Sequence, residues 1–119
     1  MPLYGSIPVR TISPGDQVTL LNDETVATGD ASIAVAVASK DGAAEPVVAM
    51  SVRFDSSPTA VVALQGSLTD DDASYITLAT STNTSPDLLT ATTAVQFLRA
   101  KVVSFSGGGG LTAVIRRSS

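Results

Sequence analysis

The clearest signal along the chain is strict alternation of apolar and polar positions. Val48, Met50, Val52 and Phe54 alternate with Ala49, Ser51, Arg53 and Asp55, the period-2 pattern of an antiparallel strand with one face buried. Beyond the turn signal Ser56-Ser57-Pro58, Val62, Leu64, Gly66 and Leu68 repeat that pattern, and the two runs predict a central hairpin. Leu111, Ala113 and Ile115 alternate in a last strand before Arg116-Arg117, after a glycine run at 107–110 that reads as a turn. Ile33, Val35 and Val37 alternate with Ala34, Ala36 and Ala38, predicting a small apolar strand with two dry faces. Upstream, Val18 and Leu20 are separated from Val26 by Asn22-Asp23-Glu24, which predicts a second hairpin. Asp70-Asp71-Asp72 is a loop, and Tyr75 to Leu78 opens a further strand.

From Thr92 to Phe105 one long strand is predicted, with Val95, Phe97, Val103 and Phe105 on one face and Leu98, Ala100 and Val102 on the other. Residues 85–95 also allow a helix: Ser85-Pro86-Asp87 resembles a helix start, and Leu88, Ala91, Val95 and Leu98 recur at helical spacing. Four Thr between positions 84 and 93 weigh toward strand. The first 16 residues carry Pro2, Pro8 and Pro14, which blocks helix. They read as an extended N-terminal arm or as an edge strand of their own domain.

Composition sharpens this picture. The 119 residues suffice for one domain, divided here into an arm, 1–16, and a β-sandwich domain, 17–119. The apolar residues are mainly Ala and Val, and about a quarter of the chain is Ser or Thr, a composition suited to strands. With no His, Cys or Trp, Ser-His-Asp and Cys-His catalysis, thiolate nucleophiles, the usual zinc ligand sets and disulfides are excluded. The reading is a chain that is not an enzyme, with no cofactor and no metal. A net charge of −4 argues against nucleic acid as a partner. No run approaches the roughly 18 apolar residues of a membrane helix, and MPLYGSIPVR carries no export signal, so neither membrane partner nor export is predicted and synthesis is cytoplasmic.

Individual motifs each have a plain alternative. The four glycines lack the Lys-Ser/Thr of a phosphate loop. The three aspartates lack the spacing of a calcium loop and read as a solvated turn. Arg99 and Lys101 share the register of Phe97 and Val103, giving a strand face that is half apolar and half cationic. Such a face suits an acidic partner, or its side chains lie over the sheet with their heads in water.

Two stretches carry a family resemblance: TAVVALQGSLTDDDASYITLATSTN and AVQFLRAKVVSFSGGGGLTAVI. A strand with ALxGSL precedes an acidic loop and an aromatic-plus-TL strand, and a later strand with an aromatic-x-Arg-Ala core ends in a Gly-rich turn. Over Val47 to Ile115 the chain resembles the small β-sandwich virion proteins of tailed bacteriophages. The resemblance implies a jelly-roll-like head decoration (cementing) protein on the capsid outer surface. Its partners would be the major capsid protein and further copies of itself, as a homodimer or homotrimer. It makes residues 1–14 a capsid-contacting arm through Leu3, Tyr4, Ile7, Val9 and Arg10, with Arg99 and Lys101 as partner contacts. Removing residues 1–14 is then expected to leave the domain folded. A carbohydrate-binding host-surface module, for which Tyr75 would be the stacking residue, and a neck or tail connector are the alternatives.

Overall fold

A computed structural model describes residues 10–38, 47–55, 59–82, 86–92, 95–107 and 109–118. Among them the strands are β1 (Arg10–Ile12), β2 (Gln17–Glu24), β3 (Val35–Val37), β4 (Val47–Phe54), β5 (Thr59–Ser67), β6 (Ile76–Ser81), β7 (Asp87–Thr92), β8 (Phe97–Ser106) and β9 (Leu111–Arg117). A 3-10 turn covers Asp72–Ser74. The strands form two sheets, ordered β1-β3-β8-β5-β6 and β2-β9-β4-β7. All pairings are antiparallel except β1 with β3, so the chain is all-β, a two-sheet sandwich.

The pairings are nested. β2 pairs with β9, β3 with β8, β4 with β7 and β5 with β6, as in one long antiparallel ribbon whose tip is the β5–β6 turn, wrapped so that successive rungs fall in alternate sheets. That arrangement corrects the expected central hairpin: β4 and β5 are successive in sequence but lie in different sheets. It also corrects the hairpin expected around Asn22-Asp23-Glu24. β2 runs on through these residues, with Asp23 at φ 51 and two register shifts against β9. Residues 87–92 are strand rather than helix, and the long strand expected from Thr92 to Phe105 is divided, Thr92 ending β7 and Phe97 opening β8.

Alternation places the core where it was expected on β4 and β9 and along β5 as far as Gly66: Val48, Met50, Val52, Val62, Leu64, Leu111, Ala113 and Ile115 are all buried, whereas Leu68, expected on the same face, lies beyond β5 and is exposed. On β8 the phase changes. Val61 pairs with Ser104 but Val62 pairs with Val102, which leaves Val103 as the extra residue of a bulge. Leu98, Ala100 and Val102 face the core, Phe105 rejoins it beyond the bulge, and Val103 points to solvent at 47% exposure. Phe105 then meets Phe54 of the other sheet, ring centroids 6.3 Å apart.

Residues 10–16 belong to the sandwich. β1 is an edge strand, Ile12 is fully buried, and Gly15 donates its backbone N–H to the Arg117 carbonyl at 2.6 Å. Residues 1–9 of the expected arm, with Leu3, Tyr4, Ile7 and Val9 among them, lie outside the described residues. Loss of residues 1–14 would thus also remove β1 and the buried Ile12.

The last strand keeps its core phase one step further than its apolar residues. Arg117, 1% exposed, sits where the alternation Leu111, Ala113, Ile115 would place another apolar side chain. Its Nη1 donates to the carbonyls of Ile12 at 2.9 Å and Ala38 at 2.8 Å, reaching from one sheet to the other.

Gly66 shows how closely the layers are packed. A Cβ there would lie 3.0 Å from Leu78 Cδ1 and 3.1 Å from Val95 Cγ1. Leu78 is the extra residue of a bulge, since Leu64 pairs with Ala79 and Gln65 with Thr77. In an open strand Gly66→Ala would stabilise by about 0.5–1 kcal/mol. Here overpacking reverses the sign, and urea unfolding of Gly66→Ala is expected to show a loss of about 1–3 kcal/mol. A gain in stability contradicts this packing.

Candidate interaction surfaces

Arg99 and Lys101 lie on the outer face of the five-stranded sheet, where the register sets Arg99 opposite Gln65 and Lys101 opposite Ala63. Their environments are internal. Arg99 is only 5% exposed. Its Nη1 pairs with the Asp72 carboxylate at 2.8 Å, its Nε donates to Gln65 Oε1 at 3.0 Å, and its guanidinium lies 4.0 Å above the centre of the Tyr75 ring. The Tyr75 hydroxyl in turn donates to Asp70 at 2.8 Å. The 3-10 turn presents this loop to the sheet, with Ser74 N–H donating to the Asp71 carbonyl. The acidic run is therefore the cover of a buried cation. Lys101 is half-buried and donates through Nζ to the Gly29 carbonyl at 2.9 Å. Arg10 is exposed at the start of β1, opposite Val35.

Beside the acidic loop a groove of about 480 Å³ opens between Gly66, Leu68, Thr69, Ser74, Ile76 and Val95. Leu68 and Ile76 are 67% and 59% exposed. The groove is apolar, and its loop-side rim is acidic.

The outer face of the four-stranded sheet has the opposite character. One row runs Gln17, Arg116, Ala49, Thr90; the next runs Thr19, Val114, Ser51, Leu88; Arg53 pairs with Thr112, and Val47 with Thr92. Arg53 and Arg116 are exposed, and among the described residues neither makes an ion pair. The carboxylates of this face, Asp23 and Asp55, gather at one end around Gly110, where a Cβ would overlap the Asp23 carboxylate. The Asp23 carboxyl is pushed above its ordinary range, first by its hydrogen bond with Asp55 and then by the Asp55 charge. From there to the turn at 14–16 the face carries Thr, Ser, Ala, Val and Leu with the two guanidiniums. Beyond its Asp23–Asp55 end, this face of an acidic molecule is thus cationic and otherwise neutral.

The sequence pattern singled out Arg99 and Lys101, but the free cations are elsewhere. Arg53 was legible as an outward residue of β4; Arg116 required the knowledge that β9 continues past Ile115. No family model matches the chain, and no curated protein and no solved structure matches it.

The Arg99 cluster has a pH signature. The Arg99 hydrogen bond, then its charge, hold the Asp72 carboxyl below the usual 3.8. Its contribution to stability is therefore present above that value and lost as pH falls through the lower folded pKa. Burial, then the hydrogen bond and charge of Asp70, push the Tyr75 phenol well above 10.0. That term is fully present below pH 10 and lost as pH rises beyond it. Urea midpoints followed across pH are expected to lose part of their acid-side slope in Asp72→Asn and part of their alkaline-side slope in Tyr75→Phe. Unchanged slopes in both variants contradict the cluster.

Proposed function

We propose that this chain is a structural virion protein, a decoration or cementing protein that binds the major capsid protein lattice on the capsid outer surface and stabilises it by contact. The observation that carries the reading is the outer face of the four-stranded sheet: exposed at Arg53 and Arg116, with its carboxylates Asp23 and Asp55 gathered at the Arg53 end, on a chain of net charge −4. Such a face fits an acidic protein surface and disfavours approach of the chain's own acidic regions. Repetition over a lattice multiplies a modest contact per copy.

The nested order supports the finer form of the fold. β2-β9-β4-β7 facing β3-β8-β5-β6 is the strand order of an eight-stranded jelly roll, to which β1 adds an edge. The resemblance over Val47 to Ile115 supplies the virion context, with copies of the chain as further partners. In this reading Leu3, Tyr4, Ile7 and Val9 extend the contact as an arm ahead of Arg10. Arg99 and Lys101 act indirectly: they hold the acidic loop and the segment around Gly29 in place.

The glycan alternative is weakened by Tyr75. One face of its ring is covered by the Arg99 guanidinium at 4.0 Å, leaving that face closed to sugar stacking.

Co-sedimentation with purified capsid shells assembled without this chain tests the proposal. Wild type is expected to decorate the shells. Arg53→Glu/Arg116→Glu, which places like charge against an acidic partner, is expected to bind at least tenfold more weakly while remaining folded by circular dichroism, with a lower urea midpoint because Arg53 offsets the Asp23 and Asp55 carboxylates. A chain beginning at Arg10 retains every described residue, and its occupancy beside wild type isolates the arm's share. Equal occupancy by the double variant and wild type overturns the face as the contact, and failure of wild type to bind shells overturns the decoration reading.

A further inference from the structure

The four sheet edges are not equally protected. β1 is three residues long, β2 has two register shifts and carries Asn22, Asp23 and Glu24, and β6 is bulged at Leu78. Short length, bulges and charge are the usual devices that prevent edge pairing. β7 has no bulge, and its one charge is Asp87 at the first position, whose carboxylate accepts from the Leu88 N–H at 2.9 Å. Its six residues pair with β4 in unbroken register, from Val47–Thr92 to Val52–Asp87, and residues 88–92 are uncharged and contain no proline. Among the described residues no strand covers its outer edge.

The edge is also self-complementary. In an antiparallel pair about a two-fold axis, side chains opposite one another share a sheet face, so a regular strand must pair residues of equal phase. A register centred on Thr90 meets this condition. Thr90 faces Thr90 of the second copy, Leu89 faces Ala91, and Leu88 faces Thr92, while each Asp87 falls outside these pairs. On the outer face the row then reads Val47, Thr92, Leu88, Ser51, with the last two from the second copy. This joins Leu88, 61% exposed, to Val47, 40% exposed, the large apolar residues that this sheet leaves in solvent. The nearest Arg116 residues lie five strand spacings apart, about 24 Å, well beyond the Debye length of about 10 Å at 0.1 M salt.

We infer that β7 is a self-association edge at which two copies of this chain pair antiparallel, joining their four-stranded sheets into one eight-stranded sheet. The cationic faces then become continuous, and one dimer presents Arg53 and Arg116 twice. A six-residue strand spans only about 20 Å, so the dimer belongs to the small, reversible class of interfaces.

Sedimentation equilibrium of the full chain up to about 1 mM is expected to show a monomer–dimer equilibrium. Thr90→Lys, which opposes two ammonium groups at the axis, is expected to raise the dissociation constant at least tenfold. Thr90→Glu is the second variant if the first does not fold, as judged by circular dichroism. Leu88→Lys/Thr92→Lys is expected to dissociate like Thr90→Lys, whereas Leu88→Glu/Thr92→Lys, which faces opposite charges across the same register, is expected to dimerise at least as well as wild type. A wild type that stays monomeric, Thr90 variants that associate as wild type does, or two double variants that behave alike overturn the inference. It rests on strand register alone: a monomeric chain that still decorates shells leaves the capsid reading standing, and a dimer that does not bind shells leaves this one.

Discussion

Arg117 places a permanent cation between the two sheets, at a position where the alternation of β9 would bury an apolar side chain, and the closure of the sandwich follows from how that cation is satisfied. Its guanidinium donates to Ile12 on β1 and to Ala38 just beyond β3, while its own backbone bonds to Gly15 and Asp16 at the start of β2. The first and last segments of the nested ribbon are thus fastened at one point. Both bonds are charge-assisted and run to main-chain carbonyls, Ile12 within β1 and Ala38 tied to it by its own N–H, which makes them stronger and more geometrically demanding than neutral hydrogen bonds. Removing the side chain leaves a cavity and at least one buried carbonyl short of a donor; the Ala38 backbone N–H still reaches Ile12 at 3.1 Å.

The same principle orders the outer face of the other sheet. Arg99, on the solvent side of β8, is buried because the tip of the ribbon folds over it, bringing Asp72 to its Nη1 and the Tyr75 ring to its face. Two of the seven basic residues are thereby used inside the molecule, and Lys101 is tied to Gly29. What remains for a partner among the described residues is set by this internal use: Arg53 and Arg116 on the four-stranded sheet, with Arg10 at the edge. Fold and surface electrostatics are therefore one question in this chain, since the cations that hold the sandwich are unavailable for contact.

The strands that face one wet and one dry side were legible from sequence, because burial of every second residue writes itself directly into β4 and β9. Their pairing was not. Period-2 alternation states which face is buried and is silent about which strand lies alongside, so the adjacent runs 48–54 and 62–68 read as a hairpin although a wrapped ribbon sends them to different sheets. Local irregularities hid in the same way. The bulge at Val103 sends Val103 and Phe105, which alternation assigned to one face, to opposite faces, and Asp23 keeps β2 running by adopting φ 51 where its neighbours' polarity suggested a turn. The burial of Arg99 and Arg117 depends on acceptors that lie 27 or more residues away in sequence. No local pattern carries that information.

If the Arg117 clasp closes the sandwich, its loss must weaken the whole domain and not one edge. The decisive measurement is urea unfolding of Arg117→Met, a change that keeps most of the apolar stem and removes the donors, with native-state hydrogen exchange at β1, β3 and β9. Two charge-assisted bonds to buried carbonyls predict a loss of about 3 kcal/mol, with protection falling in all three strands together. A variant within about 0.5 kcal/mol of wild type, or one whose protection falls in β1 alone, contradicts the account.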